Sequence, residues 1–315
     1  MAIAMPRVGN RFDKVDRMKI NIHVGVHKTA TTYMQKRLEV ARPDLMKSGI
    51  DYMPRDPFRK AFTSRLKDIE PGDFRIGDLA AQVFEGVPHG PLDRLILSDE
   101  NLIGNCARIL ASGEPFDTGK GRLSRVRALF PDADITLYCC IRSYDSFLAS
   151  AYCETLRFRR KFLSFDAFVE HLRFEALRWP SVLDRLIKGL RPDRTKIWRY
   201  EDFREHSDRI LQDMAFGTPV PVVAKTQDKP ERESFSQMAI DVLDLIDAQK
   251  GPDVAGLLIN VIGNKLLKSE GFDGFAPWSD EKRKSLGKAY EEDCAALDSA
   301  LWLVPPKAER PLLAG

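Results

Sequence analysis

Residues 23–35, HVGVHKTATTYMQ, place a lysine, three threonines, two histidines and a glycine directly after the apolar run MKINI. Lysine and hydroxyl side chains at the start of a helix make an anion site. The first amides of a helix have no intrahelical partner, and the helix dipole adds partial positive charge there. Lys28 supplies a full charge, Thr29, Thr31 and Thr32 supply hydroxyl donors, and Gly25 lets the chain turn sharply. The bland alternative is that Thr31 only caps a helix and Lys28 is a solvated loop lysine. The order strand, loop, helix favours the anion site.

Two further groups follow apolar runs in the same way. DITLYCCI (134–141) ends at Arg142, with Ser150 eight residues on. An arginine offers a planar fork to phosphate oxygens, and a serine on the following helix adds a hydroxyl. RLILS (94–98) opens into Asp99 and Glu100. Carboxylates just past a strand lie where open α/β sheets bind ligands, so Glu100 is a candidate proton acceptor, with Asp99, Asp93 and His27 in reserve. Two other readings of this stretch stay open: a Walker B strand whose acidic pair holds magnesium for a kinase, and a helix-start carboxylate with no chemistry.

The elements that must position these groups are legible as short buried strands at 18–24, 94–98, 134–141 and 195–199, alternating with helical patterns. That alternation predicts a P-loop-like α/β fold, a central parallel sheet flanked by helices. Met34, Leu38, Ala41 and Leu45 fall at helical spacing, so a helix starts near Thr31 and packs on the sheet. Residues 1–17 read as an N-terminal tail and 18–315 as one α/β domain. Within it, the proline-bearing 217–233 is a surface connection and 234–315 is mainly helical, with serines opening its helices.

HKTATT resembles the 5'-phosphosulfate loop of the sulfotransferase family, whose pattern is a lysine, a small hydroxyl residue, a glycine and two threonines. Lys28, Thr29, Thr31 and Thr32 match it, and Ala30 stands at the glycine. A nucleotide triphosphatase loop instead needs a glycine before the lysine, where this chain has His27. The family also carries an arginine and a serine at the spacing of Arg142 and Ser150, for the 3'-phosphate of its donor. IWRYEDF (197–203) and YEEDCAALDSALW (290–302) resemble its late strand and closing helix. The resemblance implies 3'-phosphoadenosine 5'-phosphosulfate (PAPS) as donor, no metal, and a hydroxyl acceptor, a carbohydrate or glycolipid. It implies that Lys28, Thr29, Ala30, Thr31 and Thr32 grip the 5'-phosphosulfate, that Arg142 and Ser150 grip the 3'-phosphate, and that Lys28 and Glu100 are catalytic. Lys265, Lys268 and Arg232 are candidates to complete the 3'-phosphate site. A magnesium-dependent small-molecule kinase and a catalytically silent nucleotide-binding protein are the alternatives.

Composition limits the rest. A formal net charge of +3 gives too weak a field to make nucleic acid the main partner, so any anion site is local. Five cysteines without metal spacing, no leader-like apolar segment and no apolar run near the length of a membrane span predict a cytoplasmic protein. The cations of LRFRRK (156–161) read as a solvated face rather than a dock for an anionic acceptor, and His23 as a packed sheet residue. Trp179 and Trp198 read as core; Trp278 is open between core and sugar stacking.

Overall fold

The computed structural model describes residues 17–68, 93–106, 110, 115–170, 172–222 and 233–297. Nearly all of the proposed N-terminal tail, Arg232, and most of the 217–233 connection lie outside the described residues.

The chain begins with β1 (Lys19–His23), α1 (Thr31–Lys47), β2 (Ile50–Met53), α2 (Arg55–Ala61) and β3 (Arg94–Ser98). It continues through α3 (Gly119–Leu129), β4 (Asp134–Ile141), α4 (Tyr144–Leu156), α5 (Phe165–Glu170), α6 (Trp179–Leu190), β5 (Arg194–Arg199) and α7 (Tyr200–Met214). Helices α8 (Gln237–Lys250), α9 (Pro252–Gly263) and α10 (Asp280–Ala296) form the C-terminal part. Ser236 and Ser279 cap α8 and α10 by accepting from the amides of Ala239 and Lys282.

The five strands pair in the order β2-β3-β1-β4-β5, and every pairing is parallel. Strand β2 was not legible in the sequence. Its four residues IDYM carry an aspartate in the middle, yet all four are buried. Asp51 is tolerated there because the Arg42 guanidinium meets both of its oxygens, at 2.9 and 3.3 Å.

Side chains alternate between two cores because successive strand residues point to opposite faces. Ile20, Ile22, Leu97, Leu137 and Cys139 join the cluster with Trp179 and α8. Tyr52, Ile96, Tyr138, Cys140 and Trp198 join the other, with Met34, Leu38 and Leu45 of α1. Each of those three α1 side chains is fully buried, worth roughly 1.5–3 kcal/mol apiece. Trp278 also belongs to the packing: its ring meets Phe165 edge-on at 4.8 Å, and its Nε1 donates to the Asp145 carbonyl.

The strand order fixes where ligands can sit. The chain leaves β3 and crosses β1 to reach β4, so the loops after β1, β3 and β4 converge beside the central strand, at the carboxyl edge of the sheet.

Candidate functional site

The loop after β1 is the most strained part of the described chain. Gly25, Lys28 and Ala30 all have left-handed backbones, at φ 55°, 67° and 61°. Glycine adopts this conformation freely; for Lys28 and Ala30 it costs on the order of 1–3 kcal/mol each. The position where the resemblance calls for glycine thus demands a left-handed residue, and alanine meets that demand under strain. Neighbours hold the loop in place. Thr29 Oγ1 donates to the Val26 carbonyl at 2.5 Å, and Arg142 Nη1 donates to the Lys28 carbonyl at 2.6 Å.

Gly25 is also required sterically. A Cβ there would lie 2.8 Å from Thr31 Oγ1 and 3.3 Å from Thr29 Oγ1. Beneath this turn several polar atoms are buried without a partner among the described residues: His23 Nε2, His27 Nδ1, Thr31 Oγ1 and Gln35 Oε1. Helix α1 starts at Thr31 with no side-chain cap and no acidic residue in its first turn. Its dipole therefore presents uncompensated positive character to the loop.

Lys28 Nζ reaches across to Glu154 Oε2 on α4, at 3.2 Å. Glu154 lies on the same face of α4 as Ser146 and Ser150, which precede it by eight and four residues. Arg142 Nε donates to Ser146 Oγ at 2.9 Å, so the arginine engages the serine one turn into the helix. Ser150 is buried one turn farther along. The Arg142 guanidinium also stacks over the Tyr200 ring, 4.5 Å from its centroid. The tyrosine-acidic turn gains a structural meaning from this: Tyr200 supports Arg142, while Glu201 accepts from the Ser143 amide at the start of α4 and from Tyr290 of α10.

The loop after β3 is built differently. Asp99 is fully buried and accepts from Arg59 Nη2 at 2.5 Å and from the Asn101 amide at 2.9 Å. Glu100 accepts from Arg59 Nη2 at 2.9 Å and from Gln35 Nε2 at 3.3 Å. Burial alone would raise the Glu100 carboxyl, but the positive charges of His27, once acid protonates that imidazole, and of Arg59 outweigh it and hold the group below the usual carboxylate range. Glu100 is thus an anion at neutral pH. Burial lowers the His27 imidazole despite Glu100, so it is neutral. Its Nε2 meets Asn101 Oδ1 at 3.2 Å. With that oxygen as acceptor, the proton sits on Nε2 and Nδ1 keeps a lone pair.

Of the residues singled out in the sequence, the structure brings Lys28 against Arg142, and Glu100 against α1 through Gln35. Asp93 lies at the opposite end of β3, before its first residue. Lys265 and Lys268 are exposed beyond α9. Lys268 lies within electrostatic reach of Cys153 of α4, as does Lys28. Arg59, Gln35, Ser146 and Glu154 were missed. The spacing of Ser146 and Glu154 about Ser150 was a usable signal; nothing in the sequence pointed to Arg59.

No family model and no curated protein matches the chain. A crystal structure of a sulfotransferase from Alicyclobacillus acidocaldarius aligns with 81% of this chain and 99% of its own, at 19% identity and a TM-score of 0.41. A likeness at that level decides neither activity nor ligand. Among the described residues, no group of three or more His, Cys, Asp or Glu side chains could hold a metal, and no helix is long and apolar enough to cross a membrane.

Proposed function

We propose that this chain is a sulfotransferase using PAPS as donor and a hydroxyl acceptor, a carbohydrate or glycolipid. One observation carries the reading: the loop after β1 and the arginine after β4 form one unit, joined by the 2.6 Å bond from Arg142 to the Lys28 carbonyl. Lys28 and the start of α1 take the 5'-phosphosulfate, with Thr29, Ala30, Thr31 and Thr32 lining the turn. Thr31 Oγ1, buried and unpartnered, is a donor in waiting. The Thr29 hydroxyl is committed to Val26, so that residue serves through its backbone. Arg142, Ser146 and Ser150 take the 3'-phosphate, with Lys265, Lys268 or Arg232 as the candidate late cation.

In the reaction the acceptor oxygen attacks sulfur, the bond from sulfur to the bridging oxygen breaks, and its electron pair leaves on the 5'-phosphate. Lys28 neutralises that charge. The acceptor proton passes to Glu100, whose oxygens each keep a lone pair beyond the bonds to Arg59 and Gln35. His27 Nδ1 is the competing acceptor, favoured by its unused lone pair. The kinase alternative asks Asp99 and Glu100 to hold magnesium. Arg59 already bonds to both, and a metal would have to displace it.

The test needs no acceptor. Adenosine 3',5'-bisphosphate should bind more tightly than AMP by about tenfold to a few hundredfold, the value of the charge-assisted bonds to a 3'-phosphate. Arg142→Ala should erase most of that difference. Equal binding of the two nucleotides by calorimetry, or tighter binding of ATP with magnesium, would overturn the assignment.

A further inference from the structure

Helix α9 is covered on two sides and bare on a third. Ala255, Ile259 and Gly263 are buried, with a Cβ at Gly263 barred by the Phe235 ring. Asp253, Gly256 and Asn260 form the next face, and the turn after α4 packs along it. Lys161 pairs with Asp253 at 3.1 Å, a Cβ on Gly256 would overlap the Arg160 carbonyl, and Asn260 Nδ2 donates to the Arg157 carbonyl at 3.2 Å. One residue further round, Val254, Leu257 and Val261 face outward, with Leu257 79% and Val261 58% exposed. At roughly 100° per residue this apolar stripe borders the packed turn directly.

The turn has the same double character. Phe158 is 67% exposed, and the exposed Arg159, Arg160 and Lys161 follow it, with Lys250 exposed just before α9. Acidic groups are also near: Asp253 pairs with Lys161, and Asp244, within electrostatic reach of Asp241, Asp247 and Asp166, acts on Tyr152 of α4 as Arg159 does. We infer that the outer face of α9 and the Phe158 turn form one docking surface for an anionic lipid bilayer. Large apolar side chains beside arginine and lysine match the layering of a membrane interface, where the former enter the acyl boundary and the latter meet headgroup phosphates. A protein partner fits less well. A standard interface takes roughly 20–30 residues a side, and this stripe has four apolar residues on a convex helix and turn. The turn begins just after Glu154, so a bound membrane would lie beside the Lys28 site.

Sedimentation of the full-length protein with vesicles tests this, using phosphatidylcholine alone or with about one third phosphatidylglycerol. Anionic vesicles should capture the protein at least tenfold better. Arg159→Glu and Arg160→Glu should each weaken capture about fivefold or more, the worth of one cation near such a surface. Leu257→Asp, or Leu257→Ser if the aspartate disturbs the helix, should abolish it with an unchanged circular dichroism spectrum. No capture by either vesicle, equal capture by both, or a dimer in light scattering that Leu257→Ser dissolves would each overturn the inference; the last would assign the face to a second copy. Neither donor nor acceptor enters this measurement, so its failure leaves the PAPS reading untouched.

Discussion

The loops after β1 and after β3 lie side by side at the same edge of the sheet and are finished in opposite ways. After β3, the charged groups are bonded within the fold: Asp99 and Glu100 share the single guanidinium of Arg59, and Asp99 also caps the short turn that follows. After β1, two non-glycine residues are left-handed, and Thr31 Oγ1 and His27 Nδ1 are buried without partners. A native fold rarely leaves such groups unmet. The loop after β3 meets most of its polar groups within the fold, whereas the loop after β1 leaves several unmet, which fits the ligand seat proposed for it.

Removing Asp99 should show the largest effect on the scaffold side. Asp99→Ala strands the Arg59 guanidinium, and should cost about 3 kcal/mol in urea unfolding, the low end for a broken buried pair because Arg59 keeps Glu100 and some solvent. A loss under about 1 kcal/mol would place Asp99 among groups the fold can spare. Lys28→Ala should behave in the reverse sense. Its pair with Glu154 is partly exposed and worth under about 1 kcal/mol, so stability should hold. Turnover should fall about 10² to 10³-fold, as when one preorganised donor is lost. Turnover equal to that of the unmutated protein would remove Lys28 from the chemistry.

His23 sharpens the comparison through pH, because its 2.9 Å contact with Ser98 Oγ joins the ends of β1 and β3 from which the two loops leave. Burial lowers its imidazole from 6.5 to about 4. Between those values the unfolded chain takes up a proton that the folded chain refuses. Stability should therefore fall as pH drops from 6.5 towards 4, by at most about 3 kcal/mol. His23→Gln should make that part of the profile shallower in thermal melts without flattening it, because burial also lowers His27, while the loss below about pH 4.5 from the depressed Glu100 carboxyl persists. An unchanged slope would mean that another group carries it.

The smallest effect belongs to Ala30. Ala30→Gly relieves a left-handed alanine and should stabilise the protein by roughly 1 kcal/mol, read as a rise of a few degrees in Tm. A fall in Tm would show that the loop's neighbours, rather than its own backbone, set its conformation.

The sequence by itself determined the parallel α/β architecture, the start of α1 at Thr31, and the placing of Lys28, Arg142 and Glu100 at strand ends. These rest on local periodicity and on the order of strand, loop and helix, which a linear reading contains. Cys139 and Cys140 fall in opposite cores for an equally local reason, the alternation of side chains along a strand. What only the tertiary structure decided are partnerships across the chain. Arg59 meets Glu100 because β2 carries α2 to the sheet edge, and β2 was invisible: its burial and its Asp51 are tolerated through Arg42 and strand pairing, not through any pattern of its own. Likewise, whether Ala30 tolerates the glycine position depends on a φ angle that Arg142, 112 residues away, helps to hold. Spacing along a chain records which face a side chain takes; it does not record which distant charge will meet it there.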